Sequence, residues 1–269
     1  MPTELKLDKK IAAGTTYRAE SDKYLVIEAV GTDSTSDPSY LEVDGKRCLE
    51  IYHKVAPLKK TSSNLLGLLK LGKHKVIVPP NKTFVFHGSA SSYLRIVGKL
   101  GILAPGEVLP GDLQTRFNQQ HIEYVSYLYD TYDFSAGATV TADNEQTVID
   151  WTCPVGEEWK FNNFLGAEAW LNDDSNSGDL LFKIYVEGAP RDNIETSMAP
   201  LGFTPGCAPF PPRDTVNEDP FIAEGLELNF IPGKSLKVTC SNPSALGSAA
   251  GKYWQYRVIL VGVKKLTAF

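Results

Sequence analysis

Two adjacent carboxylate pairs, Glu157-Glu158 and Asp173-Asp174, are of the type that cleaves glycosidic bonds, where one acid protonates the leaving group and a second acts as base or nucleophile. Both sit in turn-like stretches, "PVGEEWK" and "LNDDSNSGD", and not on strands facing a groove. Asp173, Asp174 and Asp179 also form a weak calcium candidate. Counting from Asp173 puts Gly178 at the sixth position of a calcium loop, but Ile184 stands at the twelfth, where a bidentate glutamate is required. The expectation is a solvated hairpin loop and no metal. The four histidines, His53, His74, His87 and His121, lack zinc-ligand spacing and no signature marks one as a base. His87, in "FVFHGS", is expected at a strand end in a structural role. There is no Gly-x-Ser-x-Gly elbow, and "GLLKLGK" lacks the phosphate-loop spacing, so no cofactor is expected. Trp170 and Trp254 are candidates for stacking on a sugar; the alternative is that the tryptophans fill a core or a partner interface.

Charge excludes further classes. The net charge of −5 argues against a broad grip on nucleic acid phosphates. Lys59, Lys60, Lys70, Lys73 and Lys75 cluster, and read as a solvated face. No apolar run approaches the ~18 residues a membrane helix needs. The opening "MPTELK" is charged, with no secretory apolar core behind it, so synthesis in a cytosol is expected. Cys48, Cys153, Cys207 and Cys240 form no Cys-x-x-Cys pair and read as buried thiols, with a Cys207–Cys240 or Cys153–Cys240 bridge as the exception.

The elements that must carry these residues are mostly strands. "YLVIEAV", "SYLEVDG", "KTFVFHG", "SYLRIVGKL", "TVIDWTC", "LLFKIYVEG", "SLKVTC" and "YWQYRVILVGV" are short, β-branched or aromatic, and bounded by Gly, Pro, Asp and Ser. Helix signals are few. "TRFNQQHIEYVSYLYDTYD" (115–133) suits a helix or strand connector, and "SNLLGLLKLG" is a short helical candidate broken by glycine. Two Pro-Gly pairs in "LAPGEVLPGDLQT" punctuate the middle. The predicted architecture is all-β, with two tandem β-sandwich, jelly-roll-like domains of similar topology: residues 1–108, an aromatic-rich connector 109–134, and residues 135–269.

Internal repetition supports the tandem. "VIVPPNKTF" matches "FIPGKSL" as hydrophobic, proline, turn, lysine, hydroxyl residue, hydrophobic, with Pro79 set on Pro232 and a one-residue gap. "YLEVDGK" matches "KIYVEGA", and "YLRIVGKL" matches "VILVGVKKL", both with Val-Gly before lysine and leucine. The order is the same in both halves. The aromatic connector and the six-proline stretch from Ala199 to Phe221 are expected at interfaces, with Phe117, Tyr124, Tyr127, Tyr129, Phe203, Phe210 and Phe221 as contact candidates.

The second half also resembles the small β-sandwich proteins of tailed phages and archaeal viruses. The resemblance rests on "TVIDWTCPVGEEWKFNNFLG", where a Pro-x-Gly-x-x-Trp corner leads into a strand, on the acid-Gly turn, and on the closing "VILVGV". It implies a non-enzymatic virion structural protein, a capsid decoration, turret or tail component. Such a protein is made in the host cytoplasm, resides in the virion, and partners with itself and other virion proteins. The alternatives are a carbohydrate- or cell-surface-binding module, for which glycan is the partner, and a jelly-roll glycosidase.

Overall fold

In the computed structural model the described residues are 3–52, 68–133, 146–161, 166–170, 181–186, 189–190, 221–222, 228–241 and 255–267. The chain divides into two compact units. The first comprises Met1–Tyr127 with Val263–Leu266, and the second Leu128–Gly262 with Thr267–Phe269.

The first unit is laid out by strands that change sheet in sequence. β1 (Thr3–Ala12), β3 (Lys23–Thr32), β6 (Leu69–Lys70), β7 (Val76–Val78) and β9 (Tyr93–Ile102) form one sheet in the order β1-β9-β3, with β6 and β7 both on the far side of β3. β2 (Thr16–Arg18), β4 (Ser39–Val43), β5 (Lys46–Ile51) and β8 (Thr83–His87) form the other, ordered β2-β8-β4-β5. All these pairings are antiparallel. Two antiparallel sheets filled alternately in this way make a jelly roll. Strand alternation sends one face of each strand inward: Ile11, Ile27, Val30, Leu41, Val43, Phe84, Phe86, Leu94 and Ile96 are all buried.

α1 (Gly111–Gln119) closes an outer face. Its Leu113, with Leu109 and Phe117, packs on Tyr24, Val26, Ile77 and Leu103. The stretch expected as one helix or strand connector is therefore both: the helix ends at Gln119, and β10 (Glu123–Asp133) follows. Tyrosine and valine at alternate positions favour the strand. Gln120, fully buried at the junction, accepts from the Ile77 N–H (2.7 Å) through Oε1 and donates to the Ile77 carbonyl (2.9 Å) through Nε2. Its amide pairs with β7 as a neighbouring strand would.

The second half repeats the plan. β11 (Gln146–Thr152), β18 (Ser235–Ser241), β14 (Leu181–Val186) and β15 (Ala189–Pro190) are ordered β11-β18-β14-β15. β16 (Phe221–Ile222), β13 (Gly166–Trp170), β19 (Gln255–Leu266), β12 (Glu157–Phe161) and β17 (Leu228–Phe230) form a second sheet in that order, with β10 also on β19. Taken in sequence, β10, β11, β14, β15, β18 and β19 occupy the places of β1, β2, β4, β5, β8 and β9. β12 and β13 together take the place of β3.

The correspondence extends to single hydrogen bonds. Lys82 N–H donates to Pro79 O, and Lys234 N–H to Ile231 O; Ala19 N–H donates to Lys82 O, and Cys153 N–H to Lys234 O. Leu103 N–H donates to Asp22 O, and Thr267 N–H to Gly156 O. Asn81 and Gly233 share the turn position and both have positive φ, 62° and 83°. The gap placed in the sequence match disappears: Pro80, not Pro79, is the counterpart of Pro232. The match of "YLEVDGK" with "KIYVEGA" holds in register, since Val43 faces Phe84 and Val186 faces Leu236. In the third match only Val-Gly holds: with Gly98 set on Gly262, Lys99 falls on Val263 and Leu100 on Lys264. Gly98 and Gly262 are equivalent as well. A Cβ on Gly98 would collide with the Val26 carbonyl oxygen, and one on Gly262 would lie 2.7 Å from that of Lys160. The Val-Gly signature thus marks a close approach of two strands.

Candidate functional site

Among the described residues, an array of titratable groups lies in the first unit, on the face of β4, β5 and β8 opposite the apolar one. Register places Tyr40 opposite both Glu50 and His87, and Glu42 opposite Arg47, so their side chains share that face. His87 Nε2 lies 2.9 Å from Glu42 Oε2, and the His87 ring stacks on Tyr40 at 4.5 Å. The Arg47 guanidinium sits 3.9 Å from the centre of the Tyr40 ring and donates to Glu50 Oε1 at 2.7 Å. Lys264 Nζ donates to both Glu50 oxygens, at 2.8 and 3.0 Å, and stands 5.2 Å from the centre of the Tyr124 ring. The Ser126 hydroxyl donates to Glu50 Oε2.

Glu50 and Lys264 are both buried. Burial pushes the Glu50 carboxyl up, but the adjacent Lys264 charge and hydrogen bonds from Lys264, Ser126 and Arg47 hold it below the usual carboxylate range. A carboxylate satisfied by two cations and a hydroxyl has its lone pairs spent on structure. His87 with Glu42 has the geometry by which a carboxylate orients a catalytic imidazole. Among the described residues, however, His87 hydrogen-bonds to no hydroxyl or thiol. Cys48 donates to Leu41 O at 3.3 Å, and burial pushes its thiol far up, which leaves it inert. The Cys153 thiol is pushed up to about 11, first by burial and then by Glu157 and Glu158. Both cysteines are free and buried, as expected for them, while Cys207 lies outside the described residues and nothing is described of the Cys240 side chain.

A second polar cluster ties α1 to the sheet. The Arg116 guanidinium donates to the carbonyls of Lys75 (2.9 Å), Glu123 (3.1 Å) and His74 (3.3 Å). Burial, then the charges of Arg116 and Lys73, hold the His74 imidazole down at about 4, even with a Glu123 carboxylate oxygen 3.4 Å from Nδ1. His74 is therefore neutral at physiological pH.

The residues singled out from sequence are scattered. Glu157 and Glu158 are consecutive in β12, so their carboxylates point to opposite faces and do not converge; Glu157 accepts from Trp159 Nε1 at 2.7 Å. Asp173, Asp174 and Asp179 lie outside the described residues, as do Phe203, Phe210 and Trp254. Trp170 and Phe221 are placed by backbone alone, at the end of β13 and the start of β16; Tyr129 likewise falls within β10. Phe117 packs edge-on to His121 at 5.3 Å, and Tyr124 is buried. The Tyr127 hydroxyl donates to Asp37, and its ring stacks on Tyr52 at 5.8 Å. Among the described residues no three His, Cys, Asp or Glu side chains converge as a metal would require. The sequence reading missed Glu50, Lys264, Arg116 and Gln120. Of these, Glu50 alone had a local signal, a single acid inside the apolar stretch "CLEIY"; Lys264 stands beside Lys265, and Arg116 and Gln120 belong to α1 and its end.

No family matches the chain, and no curated protein matches it. Among solved structures it is similar to the major capsid protein P2 from bacteriophage PM2, at 12% identity and a TM-score of 0.35, over 97% of this chain and 98% of that one. It is also similar to the PBCV-1 virus capsid (12%, TM-score 0.34, 99% and 96%) and to the STIV MCP (12%, 0.33, 97% and 96%).

Proposed function

We propose that the chain is a structural subunit of a virus particle that works by self-assembly and protein contact, not by catalysis. The observation that carries this reading is one jelly-roll strand order written twice in a single chain, down to equivalent turn hydrogen bonds. Jelly rolls serve viral capsids, lectins and cupins. A fused pair gives one polypeptide two equivalent scaffolds, each able to present loops to neighbours. The finer assignment is a capsid decoration, turret or tail component, with other virion proteins as partners. Fold alone does not assign function, so the test is made on particles. Electron microscopy of virions from the native source should place the chain at regular positions in the shell or tail. Its absence from purified particles would overturn the reading.

A further inference from the structure

We propose that the outer edge of β1 is a two-fold interface that pairs with β1 of a second copy. The inference deepens the assembly reading by naming the partner and the surface.

β1 is the edge strand of its sheet, ten residues long. Ala13 N–H points to Ser92 O beside β9, and Ala12 N–H points the other way, to the Tyr17 hydroxyl. By strand alternation, Glu4, Lys6, Asp8 and Lys10 turn their backbone groups outward, and among the described residues nothing pairs with them. Their side chains share the solvent face, while Leu7 and Ile11 point into the core. Leu5, near the start of the strand, is 49% exposed.

Charged edges commonly block pairing. This edge differs in carrying alternating signs. On β9, Lys99 stands opposite Lys6 and Arg95 opposite Lys10. Both β9 cations reach diagonally instead: Arg95 grips Asp8 through two bonds, at 2.9 and 2.8 Å, and Lys99 bonds Glu4 at 2.8 Å. Lys6 and Lys10 are left beside like charges and form no ion pair among the described residues. An antiparallel copy with its two-fold axis at Leu7 sets Lys6 opposite Asp8 and Glu4 opposite Lys10, twice over. Each of these pairs would exchange both backbone bonds, and Leu7 would face its own copy. Sliding the copy by two residues in either direction sets Glu4 against Asp8, or Lys6 against Lys10. Sliding by one turns every side chain to the wrong face. The charges therefore specify one register, and the interface is isologous, as a closed dimer requires.

The test uses the full chain. Glu4→Lys with Asp8→Lys makes the edge wholly cationic, and Lys6→Glu with Lys10→Glu makes it wholly acidic. Sedimentation and native mass spectrometry should show a wild-type dimer that weakens with salt. Each double variant should lose at least about tenfold in dimer affinity, and an equimolar mixture should recover a heterodimer. Lys6→Pro is the second arm, because it removes an outward donor and leaves the β9 ladder intact. It should abolish the dimer and leave a melting curve that no longer depends on protein concentration and matches that of dissociated wild type. Association that persists in all three variants would overturn this interface and leave the assembly reading standing. A wild-type chain that is monomeric in solution would overturn this interface, and its absence from purified particles as well would overturn both.

Discussion

Glu50 shows how a single charged side chain can organise a sandwich face. It is buried on β5, and three partners meet it: Arg47 from its own strand, the Ser126 hydroxyl, and Lys264 from 214 residues away. Removing one member of a buried ion pair strands the other in a low-dielectric site. Lys264→Met should destabilise the protein by about 2–4 kcal/mol in chemical denaturation, short of the full penalty because Arg47 and Ser126 remain. The pH dependence has a definite sign. A carboxyl held below its unfolded value contributes stability above that value and loses it as pH falls through the folded one. Wild type should therefore lose stability in the acid range below the ordinary carboxylate pKa. Glu50→Gln should flatten that limb, and Lys264→Met should shift it to higher pH. An acid limb unchanged in Glu50→Gln would show that Glu50 is not the linked group. His74 adds a second limb. Its imidazole, held at about 4, stays neutral while the unfolded chain takes a proton near pH 6.5, so stability declines from that pH down to about 4.

At the scale of elements, two features each rest on a single residue type. The first is the strand crossing at Gly98 and its counterpart Gly262, where a neighbouring carbonyl fills the space a side chain would need. Gly98→Ala should push β3 and β9 apart at mid-length and cost more than about 3 kcal/mol. Gly262→Ala should do the same on β12. A melting temperature unchanged in either variant would refute the equivalence. The second is Gln120, whose amide stands in for a strand beside Ile77. Gln120→Ala leaves a buried N–H and carbonyl unpaired, a loss of about 2–4 kcal/mol, and the Ile77 amide should exchange with solvent markedly faster. These elements differ in how far they could be read from sequence. The Val-Gly signature and the acid-Gly turn were visible, because a close approach and a positive φ each demand particular residues at fixed spacing. The gap in the proline-turn match came from aligning residue types. Proline is tolerated at either of two adjacent corner positions, whereas the hydrogen bonds of Lys82 and Lys234 fix a single alignment. The Thr115–Asp133 stretch defeated periodicity because it holds a helix and a strand back to back, and Gln120 carries no pattern that announces its partner.

At the scale of the molecule, the last strand is the instructive part. β19 belongs to the second half by sequence, yet its Val263–Leu266 segment is part of the first unit. There Lys264 neutralises Glu50, and Leu266 N–H donates to Ile122 O at 2.8 Å. The first unit is thus completed by residues of β19, which follow the second half's other strands in the chain. The same strand explains why no single-residue motif revealed a site: its decisive lysine acts through a fold-level return that composition and local pattern do not encode. A fragment ending at Tyr127 would bury Glu50 without its lysine and leave β10 without the hydrogen bond at Ile122. Such a fragment should show broad, poorly dispersed amide resonances or a melting transition far below that of the whole chain. Within the fragment, Glu50→Gln should partly restore order, because a neutral amide needs no counter-charge. The same substitution in the full chain should instead destabilise it, by leaving Lys264 unpaired. That reversal of sign between fragment and whole chain separates electrostatic completion from simple loss of packing. If Glu50→Gln changed both in the same direction, the final strand would be acting by packing alone.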